Sequence, residues 1–173
     1  MTWGRLVFNA LGFQAVWWAW ALSAPSGEWW LGAVVSLVFL LAHSRLALNP
    51  RADLLAVLAC VVAGFVFDTS LMQAQWLTFA LLNPEPLQTV QPWWMLLLWA
   101  CLGCTFHSSL AWLQRFPRLA YPICAVFGWI AYDAAAAMGA LTRTPGWESW
   151  AALLFFWGVF IPTVQRLTAS RES

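Results

Sequence analysis

Long apolar runs and short polar breaks alternate along the whole chain. The breaks contain proline, glycine, asparagine and most of the charged residues, and such residues commonly interrupt helices. Each apolar run is close to the ~20 residues that a helix needs to cross the hydrocarbon core of a bilayer. We therefore predict six transmembrane helices, over residues 6–23, 29–48, 54–75, 92–113, 119–141 and 147–165.

Composition supports this interpretation. Of the 173 residues, 62% are hydrophobic and 9% charged, and the mean hydropathy is +0.71. A soluble domain of this size could not bury so much apolar surface. The net charge of +1 and the lack of a basic run argue against a nucleic-acid partner. We predict an all-α, polytopic helix bundle that forms a single transmembrane domain over residues 1–173, with the lipid bilayer as its partner.

The placement of arginine predicts the orientation. If the N-terminus is cytoplasmic, Arg143 is the one arginine on the outer side, together with Glu28, Glu85 and Glu148. The other seven fall on the inner side, where loops of membrane proteins are enriched in basic residues. They are Arg5, Arg45, Arg51, Arg115, Arg118, Arg166 and Arg171. We therefore predict that both termini are cytoplasmic.

The segment 76–82 lies between the third span and the longest polar connection, residues 83–92. It either extends the third helix or lies flat at the interface. We favour the second, because Trp76 is typical of a membrane–water interface.

A similar ten-residue motif that contains histidine occurs twice, as AHSRLALNPR and FHSSLAWLQR. His43 and His107 are each fourteen residues into their spans (29 to 43 and 93 to 107), roughly 21 Å from the outer edge. Cys60 and Cys124 follow at equal spacing. These matches suggest a weak parallel repeat of spans two–three and four–five. Chance, or a shared need to end each inward span with arginine, explains them equally well.

Asp68 is the first candidate for a functional residue. A carboxylate at membrane depth costs several kcal/mol unless it is paired, protonated or hydrated. Cys60, Gly64 and Asp68 recur every four residues and form a face on which another helix can pack closely, with Gln75 on the same side. Asp68 either takes part in ligand binding or proton transfer, which we favour, or ties helices together as a hydrogen-bonded acid.

In the fifth span, the position that matches Asp68 is Tyr132, and Asp133 follows it. No arginine is expected at this depth, so neighbouring Asp68 and Asp133 would have to share a proton or bind a cation. Whether they meet is left open. Ala131, Ala135 and Gly139 form a stripe of small residues suited to close helix packing.

The two histidines, His43 and His107, are expected to titrate near neutral pH. We expect each to form a hydrogen bond between helices, and a proton relay to the outer acids is the less favoured alternative. Cys101, Cys104 and His107 are weak candidates for a metal site, because their spacing spreads them over ~120° of a helix. We expect packing thiols, and the sequence indicates no metal, cofactor or catalytic set.

The tryptophans are concentrated towards the predicted outer face. An aromatic belt at the interface accounts for this distribution. A tryptophan-lined cavity that opens outward would account for it as well.

The chain resembles a bacterial inner-membrane family, about 170 residues long, that is known only as a domain of unknown function. The resemblance rests on NALGFQAVWW, GFVFDTSLM, PWWMLLLWACLGCTFHSSLAWL and FGWIAYDAAAAMGAL. It implies a bacterial inner-membrane location and makes Asp68 and the segment 107–112 positions to test. Relatives tend to carry small residues where this chain has Asp133. Family members are often encoded beside enzymes of fatty-acid modification, which implies a connection with lipids.

Three functions follow as hypotheses. The leading one is binding or carrying a lipid or another apolar small molecule, suggested by Asp68, the tryptophans and the prolines inside spans five and six. The second is a structural subunit that anchors a partner enzyme, or forms a homo-oligomer, in the membrane. The third, a membrane enzyme, is disfavoured because the sequence contains no recognisable catalytic signature.

Overall fold

A computed structural model describes residues 3–80 and 89–169. The described chain is almost entirely helical, with one 3₁₀ helix at Ala111–Arg115 and two short strands, β1 (Leu77–Phe79) and β2 (Leu141–Arg143). Its α-helices are α1 (Trp3–Ser26), α2 (Trp29–Leu46), α3 (Pro50–Gln73), α4 (Trp93–Gly103), α5 (Pro117–Ala137) and α6 (Trp147–Thr168). The prediction of six helices in an all-α chain is confirmed.

Five of these helices are long enough and apolar enough to cross a membrane, and α4 is too short. The prediction of one continuous fourth helix over 92–113 is therefore wrong. The α-helix ends at Gly103, and turns lead from there to the 3₁₀ helix. The break coincides with a close backbone approach: a Cβ at Gly103 would lie 2.6 Å from the Cα of Val57.

The segment after the third helix forms a strand. Residues 77–79 do not extend α3, because β1 pairs with β2 in an antiparallel register that places Thr78 opposite Thr142. The location of this segment at the interface stays a prediction. The strands come from two distant loops, so no local turn signal announces them. Residues 81–88, which include Glu85 and most of the predicted polar connection, lie outside the described residues, as does Arg171.

The helices pack as three sequential hairpins, α1–α2, α3–α4 and α5–α6. In each hairpin a tryptophan ring of one helix lies directly against a glycine of the other. The pairs are Trp20 with Gly32, Trp99 with Gly64, and Trp157 with Gly128, and a methyl group added at any of these glycines would overlap the ring. We call these pairs the glycine–tryptophan contacts.

Hydrogen bonds fix two of these rings. Trp20 Nε1 donates to Ser36 Oγ at 2.8 Å, and Trp99 Nε1 donates to Asp68 Oδ2 at 2.7 Å. Each acceptor lies four residues, about one helical turn, after the glycine on which the ring packs. In the third hairpin the corresponding residue is Tyr132, whose ring meets that of Trp157 edge-on at 6.1 Å.

The described arginines divide between the two ends of the bundle. Arg5, Arg45, Arg51, Arg115, Arg118 and Arg166 lie at helix ends on one side, which we call the basic end. Arg143 lies on the opposite side with β1 and β2, which we call the sheet end. The cytoplasmic placement of the basic end stays a prediction, as does the single-domain organisation.

We predict that Gly64→Ala destabilises the protein by about 1–3 kcal/mol, because the added methyl group overpacks the contact with Trp99. Gly4→Ala is the matched control, because nothing lies within 4 Å of its added Cβ. The measurement is the free energy of unfolding of both variants in the same detergent. Equal stability of the two variants would contradict the packing role of Gly64.

Candidate functional site

Asp68 is the centre of a buried three-helix cluster. The side chain, on α3, is fully buried. Tyr132 Oη of α5 donates to Asp68 Oδ1 at 2.5 Å, and Trp99 Nε1 of α4 donates to Oδ2 at 2.7 Å. We call Asp68, Trp99 and Tyr132 the acid clamp.

The acid clamp accounts for both carboxyl oxygens without a basic residue. Within the described chain, the hydrogen-bond partners of Asp68 are one hydroxyl and one indole N–H. Because a buried polar group without a partner is costly, the carboxyl group holds α4 and α5 at fixed positions against α3. Asp68 therefore acts on its surroundings through Trp99 and Tyr132.

A cavity of about 610 Å³ lies beside these two residues, and we call it the main cavity. Trp99 and Tyr132 line it, whereas Asp68 lies behind them and does not. Its volume falls within the ~300–1,000 Å³ range of pockets that bind small molecules. Its walls come from α1, α4, α5 and α6, with Phe79, Ala140 and Leu141 near the sheet end.

The main cavity opens sideways between α1 and α5. These two helices make no extended contact with each other in the described chain. Leu11 and Trp18 of α1 and Phe127 and Ile130 of α5 line the cavity and are also exposed on the surface of the bundle. In a membrane, an opening framed by such apolar side chains would face lipid tails.

The lining of the main cavity is apolar and uncharged. Tryptophan and small residues dominate it, and none of the described residues that form it is Asp, Glu, Lys, Arg or His. Its polar side chains are Gln14, Thr105, Ser109 and Tyr132. Ala131 and Ala135, predicted to support close helix packing, instead line this open space.

A second polar cluster lies at the basic end. His43 Nε2 and Asp53 Oδ2 are 3.2 Å apart, and His43 Nδ1 is 3.2 Å from Asn9 Nδ2. All three side chains are buried. We call Asn9, His43 and Asp53 the amide–histidine cluster.

Asn9 joins this cluster to the broken fourth helix. Its Nδ2 donates to the carbonyl of Cys104 at 3.1 Å, and its Oδ1 accepts from the backbone N–H and the hydroxyl of Ser109 at 3.2 and 2.6 Å. A carbonyl only accepts and a backbone N–H only donates, so these two groups fix the orientation of the amide. His43 Nδ1 must then accept from Asn9, and Nε2–H donates to Asp53.

The rest of the break is held from α6. Gln165 Nε2 donates to the carbonyls of Phe106 and Leu110 at 2.8 and 3.0 Å, and its side chain is buried. His107 Nε2 is 2.8 Å from Thr168 Oγ1. Irregular backbone is tolerated at membrane depth only where protein groups or water satisfy it, and these side chains provide that.

The two histidines meet at one small pocket. A space of about 50 Å³ is lined by Arg5, Asn9, His43, Asp53 and His107, among others. This pocket lies at the basic end, so the structure separates both histidines from Asp68. The hydrogen bonds of His43 join helices, as expected, whereas that of His107 joins the turns after α4 to α6. No described residue bridges either histidine to the acid clamp.

The remaining acidic candidate lies apart from Asp68. Asp133 is exposed and accepts a hydrogen bond from Arg143 Nη2 at 2.8 Å, and the guanidinium carbon of Arg143 lies 4.5 Å from the centre of the Trp150 ring. The expectation that no arginine reaches this depth is wrong, because α5 ends at Ala137 and β2 brings Arg143 back beside it. Asp68 and Asp133 therefore have separate partners and do not form a pair.

Gln75 belongs to a turn outside the cavity lining. It is exposed, with φ of 59° in the left-handed region, and its carbonyl accepts from Thr144 Oγ1 at 2.6 Å. The structure places it with the sheet and away from the acid clamp.

The thiols are buried packing groups. Cys60, Cys101, Cys104 and Cys124 are free and buried, and Cys101 Sγ lies 3.9 Å from the carbonyl of Ser36. Within residues 3–80 and 89–169, no group of three or more His, Cys, Asp or Glu side chains is placed to hold a metal ion. Cys101, Cys104 and His107 do not converge as ligands.

Sequence reasoning missed Asn9, Asp53 and Gln165. Asn9 and Gln165 are single amides inside long apolar helices, and their cost at membrane depth was the available signal. Asp53 follows the Asn-Pro-Arg break and so reads as a loop residue, although it lies in the first turn of α3.

We predict that Asp68→Asn keeps nearly the full stability, whereas Asp68→Leu loses about 1–3 kcal/mol for each donor left without a partner. The asparagine oxygen can accept from Trp99, and its amide can donate to the Tyr132 hydroxyl, which is able to accept. The measurement is the unfolding free energy of both variants in detergent. A loss in Asp68→Asn as large as that in Asp68→Leu would show that the clamp needs the carboxyl group itself.

We predict that Asn9→Leu destabilises the protein by about 1–3 kcal/mol for each buried partner that it leaves without a hydrogen bond, because Asn9 bonds Cys104, Ser109 and His43. Gln14→Leu is the matched control, because Gln14 lies on the same helix and no described residue bonds its amide. The measurement is the unfolding free energy of both variants in the same detergent. Equal stability of the two variants would contradict the role of Asn9 in holding the broken fourth helix.

Comparisons with known proteins give one family. The family model described as "Protein of unknown function (DUF2878)" matches residues 6–163. No curated protein and no solved structure matches the chain. The matched segment contains the acid clamp and the amide–histidine cluster, and it confirms the resemblance to an uncharacterised family. The chain therefore belongs to the DUF2878 family, whose description assigns it no function.

Proposed function

We propose that this protein binds an apolar small molecule or lipid in the main cavity and exchanges it sideways with the membrane. The observation that carries the proposal is the space of about 610 Å³ between α1 and α5, whose lining is uncharged. In a membrane this open space would not stay empty, because protein interiors contain few voids larger than a water molecule. A ligand or a lipid tail would supply the missing contacts.

The walls of the main cavity are suited to holding a ligand because other contacts fix them. The acid clamp orients the rings of Trp99 and Tyr132 from behind, and Trp157 stacks on Trp99 with ring centres 5.2 Å apart. Binding costs less when the lining is already ordered. Flat aromatic walls and small residues also leave a smooth slot, which favours an extended or planar apolar molecule.

The proposed location is the inner membrane of a bacterium, with the basic end in the cytoplasm. Five helices that can cross a membrane support a membrane protein. The concentration of arginine at one end supports the orientation through the preference of cytoplasmic loops for basic residues. In that orientation the sheet end faces outward and the main cavity opens to the hydrocarbon region.

We predict that Ala10→Phe lowers the amount of co-purified apolar ligand several-fold, because its ring would occupy the main cavity, which Ala10 lines. Ala15→Phe is the matched control, since Ala15 is exposed on the same helix and lies outside the cavity lining. The measurement is native mass spectrometry of the protein extracted gently from its own membrane.

A discrete added mass in the wild type and in Ala15→Phe, reduced in Ala10→Phe, would support the proposal. A bare wild-type protein, or one that carries a random spread of bulk phospholipids in all three variants, would refute it. A second protein in the wild-type spectrum, without a bound small molecule, would instead indicate a structural subunit.

A further inference from the structure

One amide in the main cavity, that of Gln14, has no hydrogen-bond partner among the described residues. Gln14 lies near the middle of α1, about twelve residues from each end, so a helix that crosses the membrane places it near the mid-plane. It is exposed and lines the cavity. Among the described residues, its amide makes no hydrogen bond with any side chain or backbone group.

Such an amide differs from the hydroxyl groups around the main cavity, which are bonded, and from the indole N–H groups of Trp94 and Trp157, which have no partner among the described residues but can only donate. The hydroxyl groups of Thr105, Ser109 and Tyr132 each donate to a protein acceptor, at 2.6, 2.6 and 2.5 Å. Within residues 3–80 and 89–169, Gln14 is the one of the four polar lining side chains whose donor and acceptor are both without a partner. In hydrocarbon an amide without a partner is unfavourable, so we expect a group that enters the cavity to bond it.

The charge of the lining restricts what that group can be. Among the residues that the structure describes, the lining of the main cavity includes no basic side chain that could neutralise a carboxylate or phosphate, and no acidic side chain that could neutralise an amine. Burying an unpaired charge in such surroundings is far more costly than burying a dipole. The part of the ligand inside the cavity must therefore be uncharged.

We propose that Gln14 is the specificity-determining residue of the main cavity and that it donates a hydrogen bond to the carbonyl oxygen of an uncharged lipid, such as a long-chain ester. This inference rests on the proposed function. Ala10, Gln14, Trp17 and Ala21 recur at helical spacing along α1 and all line the cavity. The apolar chain of the ligand can therefore extend along this face from the bonded carbonyl.

Three probes of similar length test the inference, used in tritiated form with purified protein in detergent: octadecane, methyl palmitate and, at pH 9, palmitate. We expect Gln14→Leu to weaken binding of methyl palmitate about fivefold, the effect of one lost hydrogen bond, and to leave binding of octadecane unchanged. Gln73→Leu is the matched control, because Gln73 is exposed at the end of α3 and lies outside the cavity lining. It should change neither.

The outcomes separate the two proposals. If wild-type protein binds none of the probes, the proposed function fails. If it binds octadecane and methyl palmitate, but Gln14→Leu binds both as the wild type does, only the role of Gln14 is overturned. Palmitate that binds as tightly as its methyl ester would overturn the requirement for an uncharged ligand.

A contact between two copies of the chain is the rival explanation for Gln14, because glutamine can hydrogen-bond between helices in a membrane. Native mass spectrometry of the same samples decides between them. A wild-type oligomer that dissociates in Gln14→Leu would overturn the ligand-binding role. The expected result is the same oligomeric state in the wild type, Gln14→Leu and Gln73→Leu.

Discussion

The carboxyl group of Asp68 is the constraint on which the arrangement of the helices depends. A fully buried acid on a helix that is apolar enough to cross a membrane needs hydrogen-bond partners, and here they come from two other helices. Trp99 can reach Asp68 only because Gly64, one turn earlier on α3, leaves room for its ring. Tyr132 brings α5 to the same point. The acid clamp thus sets the relative positions of α3, α4 and α5, and with them one wall of the main cavity.

Buried polar groups also need partners at the basic end, but there the groups that need them belong to the backbone and side chains supply the hydrogen bonds. There the fourth helix ends early, and its backbone needs partners that the helix itself no longer supplies. Asn9 and Gln165 bond Cys104, Phe106, Ser109 and Leu110 from α1 and α6. The hydrogen bonds from these two side chains therefore hold the break in the fourth helix in one conformation. It also places Thr105 and Ser109 in the cavity wall, so the amide–histidine cluster and the main cavity share one segment of chain.

The sequence predicts the helices well and their interruptions poorly. Hydropathy locates a span because lipid exposure demands apolar side chains over its whole length, but residues 92–113 stay apolar whether or not the backbone is helical. The partners that permit the break, Asn9 and Gln165, lie about one hundred and sixty residues apart in the chain and leave no local pattern. The same applies to Arg143, whose pairing with Asp133 depends on β2, and β2 forms only by pairing with β1, which is distant in the chain.

The spacing shared by spans two–three and four–five indicates which residues form the site better than composition does. The spacing that matches His43 with His107 also matches Gly64 with Gly128 and Asp68 with Tyr132. In the structure both histidines line one pocket, both glycines accept a tryptophan ring, and Asp68 bonds Tyr132 directly. Corresponding positions therefore meet or play equivalent parts in neighbouring hairpins. Sequence alone could not show this, because equal depth in two helices says nothing about which faces turn towards each other.

The main cavity lies where no extended contact joins the first hairpin to the third in the described chain. Each glycine–tryptophan contact joins the two helices of one hairpin, and the acid clamp joins the second hairpin to the third. No equivalent contact joins α1 to α5 in the described chain. The small residues there, Ala10 on α1 with Ala131 and Ala135 on α5, would normally let two helices approach closely, yet they line open space. Small residues that face a gap leave it unfilled by the protein itself, which supports the proposed exchange of an apolar ligand at this opening.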